Sequence, residues 1–449
     1  MYCCFTITSP KELIISFVKA IAPQPVMNLN IPKISVSSLF VMRLNFLVSR
    51  LLGLAPFEYV QSDKSLKNKL RKPTLAFRCS YTGAASNLIW ILIVSILHYN
   101  FLYTACFEER DDGTLSSKVI GMYLALSGIL LLAYLPLKFI FEQKKIVSFA
   151  NRLIKIDKSL SELHEIYHLN SGNLRLLLVT VAQIICFLLV VFSESILLMN
   201  SMASITIYVG QTVVLTSYIT QYALVVTLME KRFASLNAAL LRISTNNVQT
   251  YTLTASQRSL NRSVTVEVMI IKRAYALLCD MCRKIADFYA VPTIFIVIHF
   301  TTSIMYSSYL IIVTPMIKVW GTEAILDYVN TVFWILYELL PLTALVTSAT
   351  RASKEMKRTS GVVHRLLAAY PTSRELRREL KNFSLHLLHM NFRFTAYDMF
   401  YLDSSLINSI FSAIATYLVI FLQFQISGFM KLRTPTDISV IDSQVTLLP

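Results

Sequence analysis

Apolar positions in this chain recur on two scales. On the coarse scale, runs long enough to cross roughly 30 Å of hydrocarbon cover about Ala84–Phe107, Val119–Phe141, Leu174–Met199, Ile205–Leu228, Phe288–Met316, Ala324–Ala349 and Leu406–Phe429. On the fine scale the last run carries a polar stripe. At about 100° per residue, Ser405, Ser409, Ser412, Thr416, Gln423 and Ser427 share one narrow face, with Ile407, Phe411, Ile414, Leu418 and Phe421 opposite. A helix wholly surrounded by lipid has no use for that stripe. It either packs on another helix through small residues or faces water.

Three other patterns add elements. Ser37–Val60, with Arg43 and Arg50 among apolar residues, suits an interfacial helix ended by Gly53 and Pro56. Ser373–Asn391 is helical in period: Leu376, Leu380, Phe383, Leu387 and Met390 lie on one side, and Arg374, Arg377, Arg378 and Lys381 elsewhere. Ser244–Ser263 is rich in Ser, Thr and Asn, cannot bury a core, and reads as a mobile loop. Met1–Ala22 carries Lys11 and Glu12 and lacks the shape of a cleaved signal peptide.

The chain has 449 residues, 55% of them hydrophobic, and a mean hydropathy of +0.57, which makes it a polytopic all-α membrane protein. A net charge of +16 would suggest nucleic acid in a soluble protein, but here the basic residues follow topology instead. Lys64–Arg78, Lys144–Arg175, Lys231–Lys284 and Arg351–Arg365 flank alternate span ends, and the intervening links are short and poor in Lys and Arg. The N-terminus is thus expected in the cytosol and the C-terminus outside. The expected organisation is a cytosolic N-terminal segment with the interfacial helix at 1–82 and four spans at 83–228. A cytosolic link with the loop and helical extensions follows at 229–287, then two spans at 288–350, cytosolic anchor helices at 351–402, the striped span at 403–429 and an extracellular tail at 430–449. Seven cysteines are scattered along the chain, and only Cys106 falls near an outer boundary, so no disulfide framework forms.

Enzyme chemistry finds no support. His386 and His389 lack a third ligand for zinc, Cys279 and Cys282 form a lone pair that reads as buried thiols, and ten glycines leave little room for a phosphate loop. No cofactor is called for. Ionisable and amide groups inside spans are costly and mark candidate sites. Glu194, Tyr208, Gln211, Tyr306, Tyr309, Trp334 and Tyr337 fall at outer to middle depth, where they would line a small pocket for a modest organic ligand. The plainer reading of each tyrosine is local hydroxyl satisfaction or interface anchoring. Glu338 and His299 lie deeper and read as structural hydrogen-bonding groups.

The chain resembles the insect gustatory receptor family at its C-terminal end. That family's last span carries Thr-Tyr, five apolar residues and Gln-Phe, and Thr416, Tyr417, Leu418–Leu422, Gln423 and Phe424 match without a gap. Thr359–Leu367, Phe383–His389, Phe394–Ala396, Tyr401–Leu406, Leu277–Cys282 and Leu51–Phe57 are similar too. The resemblance implies a tetrameric, ligand-gated, non-selective cation channel, homomeric or shared with related receptors, in the lipid of the cell membrane. It places Ser409, Ser412 and Thr416 along the wide part of a central pore and Gln423 with Phe424 at its gate. It implies a small-molecule tastant as partner, bound in the outer half among spans two to six and coupled to the pore through spans five and seven. Leu418 stands where the main sugar branch has Glu, and Leu277–Cys282 with Asp112–Leu115 look like the branch associated with bitter compounds, ribonucleosides, heat and light. A fructose-type receptor, or a receptor or transporter without its own pore, stays open.

Overall fold

The structure is a computed structural model and describes residues 36–62, 74–107, 115–161, 174–197, 202–246, 257–317, 321–370, 374–390 and 392–432. Residues 1–35, the basic stretch 63–73 and the tail beyond 432 lie outside them, as does the middle of the expected loop, 247–256. The helices are α1 (Val36–Leu51), α2 (Tyr81–Phe107), α3 (Leu115–Phe141), α4 (Gln143–Ser161), α5 (Leu174–Leu197), α6 (Met202–Asn246), α7 (Gln257–Ile317), α8 (Thr322–Ala369), α9 (Arg374–His389) and α10 (Ser404–Leu432). Two small antiparallel hairpins join them, β1 (Phe57–Ser62) with β2 (Thr74–Cys79) and β3 (Thr395–Ala396) with β4 (Phe400–Tyr401). Each apolar run of the sequence falls in its own helix, α2, α3, α5, α6, α7, α8 and α10. The last six are long and apolar enough to cross a membrane, and Tyr81–Ile96 of α2 is apolar as well.

Three helices far outrun a bilayer. With 45, 61 and 48 residues, α6, α7 and α8 measure about 70, 90 and 70 Å at about 1.5 Å per residue. The stretch between the fourth and fifth apolar runs is therefore mostly helix, and α6 and α7 reach into the expected loop from both sides. Leucines and aromatics at helical spacing explain why: Phe233, Leu236, Leu240, Val268, Ile271, Tyr275 and Leu278 all enter the core. We call the end where α6, α7 and α8 project the extended end. The opposite, short-linked end joins α5 to α6 and α7 to α8 through a few residues each.

The frame is the pair α6 and α8, which run parallel. Thr216 Oγ1 donates to the Tyr337 hydroxyl at 3.1 Å, Thr227 Oγ1 to Ser348 Oγ at 2.9 Å, and Arg351 Nε to Glu230 Oε1 at 2.9 Å, each across 121 positions. Further along, Thr359 Oγ1 donates to Asn237 Oδ1 at 2.7 Å and the Tyr370 hydroxyl to the Ile243 carbonyl at 3.1 Å. A near-constant offset over that length means two helices held in register by a polar seam. Antiparallel α7 packs on both. Tyr289 stacks on Tyr222 with ring centroids 4.4 Å apart, Phe233 meets Tyr275 edge-on, and Ser303 Oγ donates to Glu338 Oε1 at 2.7 Å. α3 joins α7 through Phe139 on Phe288 and a 2.9 Å bond between Ser127 Oγ and His299 Nδ1. Glu338 and His299 are thus the structural groups the sequence suggested.

α9 buries Leu376, Leu380 and Phe383 as its period predicts, and Lys272 of α7 pairs with its Glu379 at 3.5 Å. Cys279 and Cys282, on the part of α7 that precedes its apolar run, are buried free thiols. Burial pushes the Cys279 thiol up to about 12, which keeps it protonated and unreactive.

The N-terminal region departs from a simple interfacial helix. After α1 the chain turns at Gly53, whose φ of 75° lies in the left-handed region that favours glycine, and then dives into the core with Leu54, Ala55 and Phe57 buried. Asn87 Nδ2 donates to the Gly53 carbonyl at 2.6 Å, and Gln143 Nε2 donates to the Pro56 carbonyl. Asn151 of α4 pairs with both the N–H and the carbonyl of Phe77, at 2.9 and 3.0 Å, as a neighbouring strand would. α4 itself was not anticipated. It is held to α6 by Arg232, whose Nε and Nη2 bond Asp157 at 2.9 and 2.6 Å while Nη1 donates to the Leu228 carbonyl at 2.8 Å.

Two predictions follow from this packing. The Arg232 side chain is 6% exposed and bonds both oxygens of Asp157, so Arg232→Ala removes this tie between α4 and α6 and is expected to cost about 3 kcal/mol, read as a lowered melting temperature of the detergent-purified chain. On α3, Gly128 has its Cα against the Gln211 amide of α6, where an added Cβ would overlap it. Gly128→Ala pushes aside the flexible end of the buried Gln211 side chain and is expected to destabilise by about 1 kcal/mol, and Gly128→Ala with Gln211→Ala to recover most of that loss in the same melting assay.

Candidate functional site

The first candidate surface is built on α10. Its start is fixed locally: Tyr397 and Asp398 take φ of 52° and 57° in the β3–β4 turn, and the Asp403 carboxylate accepts the Ser405 N–H at 2.9 Å as an N-cap. One side of the helix buries Leu406, Ile410 and Ile414 against α7 and α8, and Phe421 meets Tyr309 of α7 edge-on at 6.2 Å. The other side is open. Ser405, Asn408, Ser409, Ser412, Thr416, Gln423 and Phe424 are all exposed, and Asn408, Ser409, Ser412, Ala413, Thr416, Tyr417 and Ile420 line a groove there.

Two hydroxyls along this face are satisfied within the helix. Ser409 Oγ donates to the Ser405 carbonyl and Thr416 Oγ1 to the Ser412 carbonyl, both at 2.9 Å. Their remaining lone pairs point outward and suit water or ions. The stripe read from the sequence is therefore continuous in space. The buried face differs in one respect: Phe411, expected opposite the stripe, is 49% exposed. The seam instead follows four-residue steps from Leu406 through Ile410 and Ile414, because α7 and α8 both lie to one side of the helix and their contact row sets its rotation.

The second candidate surface lies at the short-linked end. Glu194 stands in the last turn of α5, and its Oε1 accepts Asn330 Nδ2 at 2.8 Å and Trp334 Nε1 at 2.9 Å, both from α8. Ser193 Oγ donates to Asn330 Oδ1 at 2.6 Å and orients the amide. One turn along α8, buried Tyr337 accepts Thr216 of α6 and lies 6.2 Å from the Phe187 ring of α5. Thr220 Oγ1 donates to Gln183 Oε1 at 2.9 Å, a further tie from α6 to α5.

The ligand-site candidates from the sequence fall into groups. Glu194, Trp334 and Tyr337 come together along the α5–α8 contact. Gln211 is buried and turns toward Gly128 of α3. Tyr309 is buried and half-buried Tyr306 precedes it on α7, toward α10. The side chain of Tyr208 lies outside the described residues. Asn330, Ser193 and Gln183 take part and were not singled out. The rule that selected Glu194 and Gln211, a polar group inside an apolar run, would have found Asn330 and Gln183 as well.

Comparisons with known proteins agree with this architecture. The chain matches the model of the family described as 7tm Chemosensory receptor over residues 42–428. It is 40% identical over 90 residues to a putative gustatory receptor 28b of Drosophila melanogaster, covering 20% of this chain and 19% of that protein. It is 27% identical over 163 residues to a putative gustatory receptor 28a of the same fly, 36% of each. The matched stretches thus span well under two thirds of those relatives. The insect olfactory receptor OR5 from Machilis hrabei shares the fold with a TM-score of 0.58 at 12% identity, over 85% of this chain and 97% of that one. With a family match that runs from α1 almost to the end of α10, the chain belongs to the 7tm chemosensory receptor family, as a multi-pass membrane protein of the gustatory-receptor-like kind.

Proposed function

We propose that this receptor is a ligand-gated, non-selective cation channel that detects small non-sugar tastants, bitter compounds among them, with α10 lining its pore. The observation that carries the reading is the open polar face of α10. Ser409, Ser412, Thr416 and Gln423 are exposed on a predominantly apolar helix, and lipid does not cover such a face favourably. Four copies around a closed rotation axis would turn four such faces toward a shared aqueous path. Gln423 and Phe424, near the short-linked end, would form its constriction.

Ligand binding at the short-linked end would reach α10 through α7. Ser303 ties α7 to Glu338 of α8, and Tyr309 rests on Phe421, two residues before Gln423. A ligand that favours one arrangement of α5, α6 and α8 then biases the position of α10. The non-sugar assignment is supported by Leu418 following Thr416 and Tyr417, and by Leu277–Cys282.

The test is electrophysiology and calcium imaging of cells expressing this chain alone, against a broad panel of bitter compounds and sugars. Gln423→Ala is expected to change ion selectivity or conductance, and Phe424→Ala to raise current without ligand. Ligand-evoked currents that leave both variants unchanged would place the pore elsewhere, and responses confined to fructose would move the ligand class. Epitope tags check the orientation: an N-terminal tag is expected to stain only after permeabilisation and a C-terminal tag in intact cells.

A further inference from the structure

The extended end matches its acids with bases. Asp157 pairs with Arg232, Glu230 with Arg351, Glu379 with Lys272 and Asp280 with Lys284. Glu194 at the short-linked end is built differently. Its Oε1 holds both N–H donors, from Asn330 and Trp334, and its Oε2 has no partner among the described residues. No Lys or Arg occurs from 176 to 230, from 285 to 317 or from 319 to 350, the apolar parts of α5, α6, α7 and α8. The carboxylate is half-buried in a helix whose surroundings make a lone charge costly.

Tethering α5 to α8 does not require that charge. A glutamine carbonyl would accept the same two N–H groups without bringing an anion into an apolar span. What a carboxylate adds is a negative charge with one oxygen left over. Beside it lies the half-buried Trp334 indole, whose edge N–H donates to the same carboxylate, while Tyr337, one turn deeper, is buried against Phe187. An anion next to an aromatic ring is the pairing that recognises an ammonium group. A single free oxygen supplies too few ligands for a divalent metal, which takes six or so.

We infer that Glu194, with Trp334, is the counter-charge of a site for an organic cation, a protonated or quaternary ammonium carried on a small aromatic group. This rests on the receptor reading and names the chemical class of its ligand. Asn330 and Ser193 act as positioning residues that aim the carboxylate.

Binding and current are measured separately, so that the two readings fail separately. Purified full-length chain is titrated calorimetrically with pairs of probes equal in shape and different in charge: benzyltrimethylammonium against neopentylbenzene, and longer arylalkyl ammonium compounds against their carbon isosteres. The cation of at least one pair is expected to bind about tenfold or more tightly. Glu194→Gln, which keeps the two accepted hydrogen bonds, is expected to abolish that preference and leave the affinity of the neutral partner and the melting temperature unchanged. No preference for any cation, a preference that survives Glu194→Gln, or an equal loss for cation and neutral isostere overturns the proposal. Cation binding without any evoked current counts against the channel and leaves the ligand class standing.

Discussion

Inside a bilayer, lipid tails are as apolar as leucine, so helices gain little by hiding apolar surface from one another. Close packing and hydrogen bonds between side chains must hold them instead. The α6–α8 seam answers that constraint in this receptor. Thr216 and Thr227 bond across a parallel pair within the spans, the seam continues at nearly the same offset through Glu230, Asn237 and Thr359 of the extended end, and aromatic α7 fills the angle between the two helices. Every other span is placed relative to that trio. α5 attaches through Gln183, Ser193 and Glu194, and α3 through Ser127 and the Gly128–Gln211 contact.

α10 is the exception. It touches α7 and α8 along one row of side chains and leaves its polar face uncovered. Hydroxyls that bond back to their own helix make such a face tolerable without committing it to a partner helix, which is what a water-lined surface needs. The Tyr309–Phe421 contact lies where the loosely held helix meets the rigid trio. A modest movement of α7 at the short-linked end would be felt there first, within two turns of Gln423.

The two ends of the bundle treat charge in opposite ways. At the extended end the helices stand beyond any bilayer, basic residues are plentiful, and ion pairs such as Asp157–Arg232 lock α4 and α9 onto the long helices. At the short-linked end acids outnumber bases within the spans, and Glu194 has hydrogen bonds but no cation among the described residues. A shared carboxylate oxygen ties α5 to α8, so whatever occupies the free oxygen also acts on the contact between those two helices.

Much of this was legible in the residues. The apolar runs gave the spans, the 3.6-residue period gave α9 and its buried Leu376, Leu380 and Phe383, and the stripe on α10 was visible as an angular pattern, because each of these is a local property of consecutive side chains. The β1–β2 hairpin, α4 and how far α6 and α7 extend into the polar link were not, since their apolar residues are spaced among charges and find partners only far along the chain. The same holds for the site. Glu194, Trp334 and Gln211 could be picked from the sequence as polar groups in apolar runs, but that Glu194 meets Asn330 and Trp334 while Gln211 turns away to Gly128 depends on which helices are neighbours and how each is rotated. Composition and period determined that this protein crosses the membrane and which helix faces are unlike the rest. Packing across more than a hundred positions decided what those faces meet, because hydrogen bonds and side-chain fit between helices are set by geometry that no single segment contains.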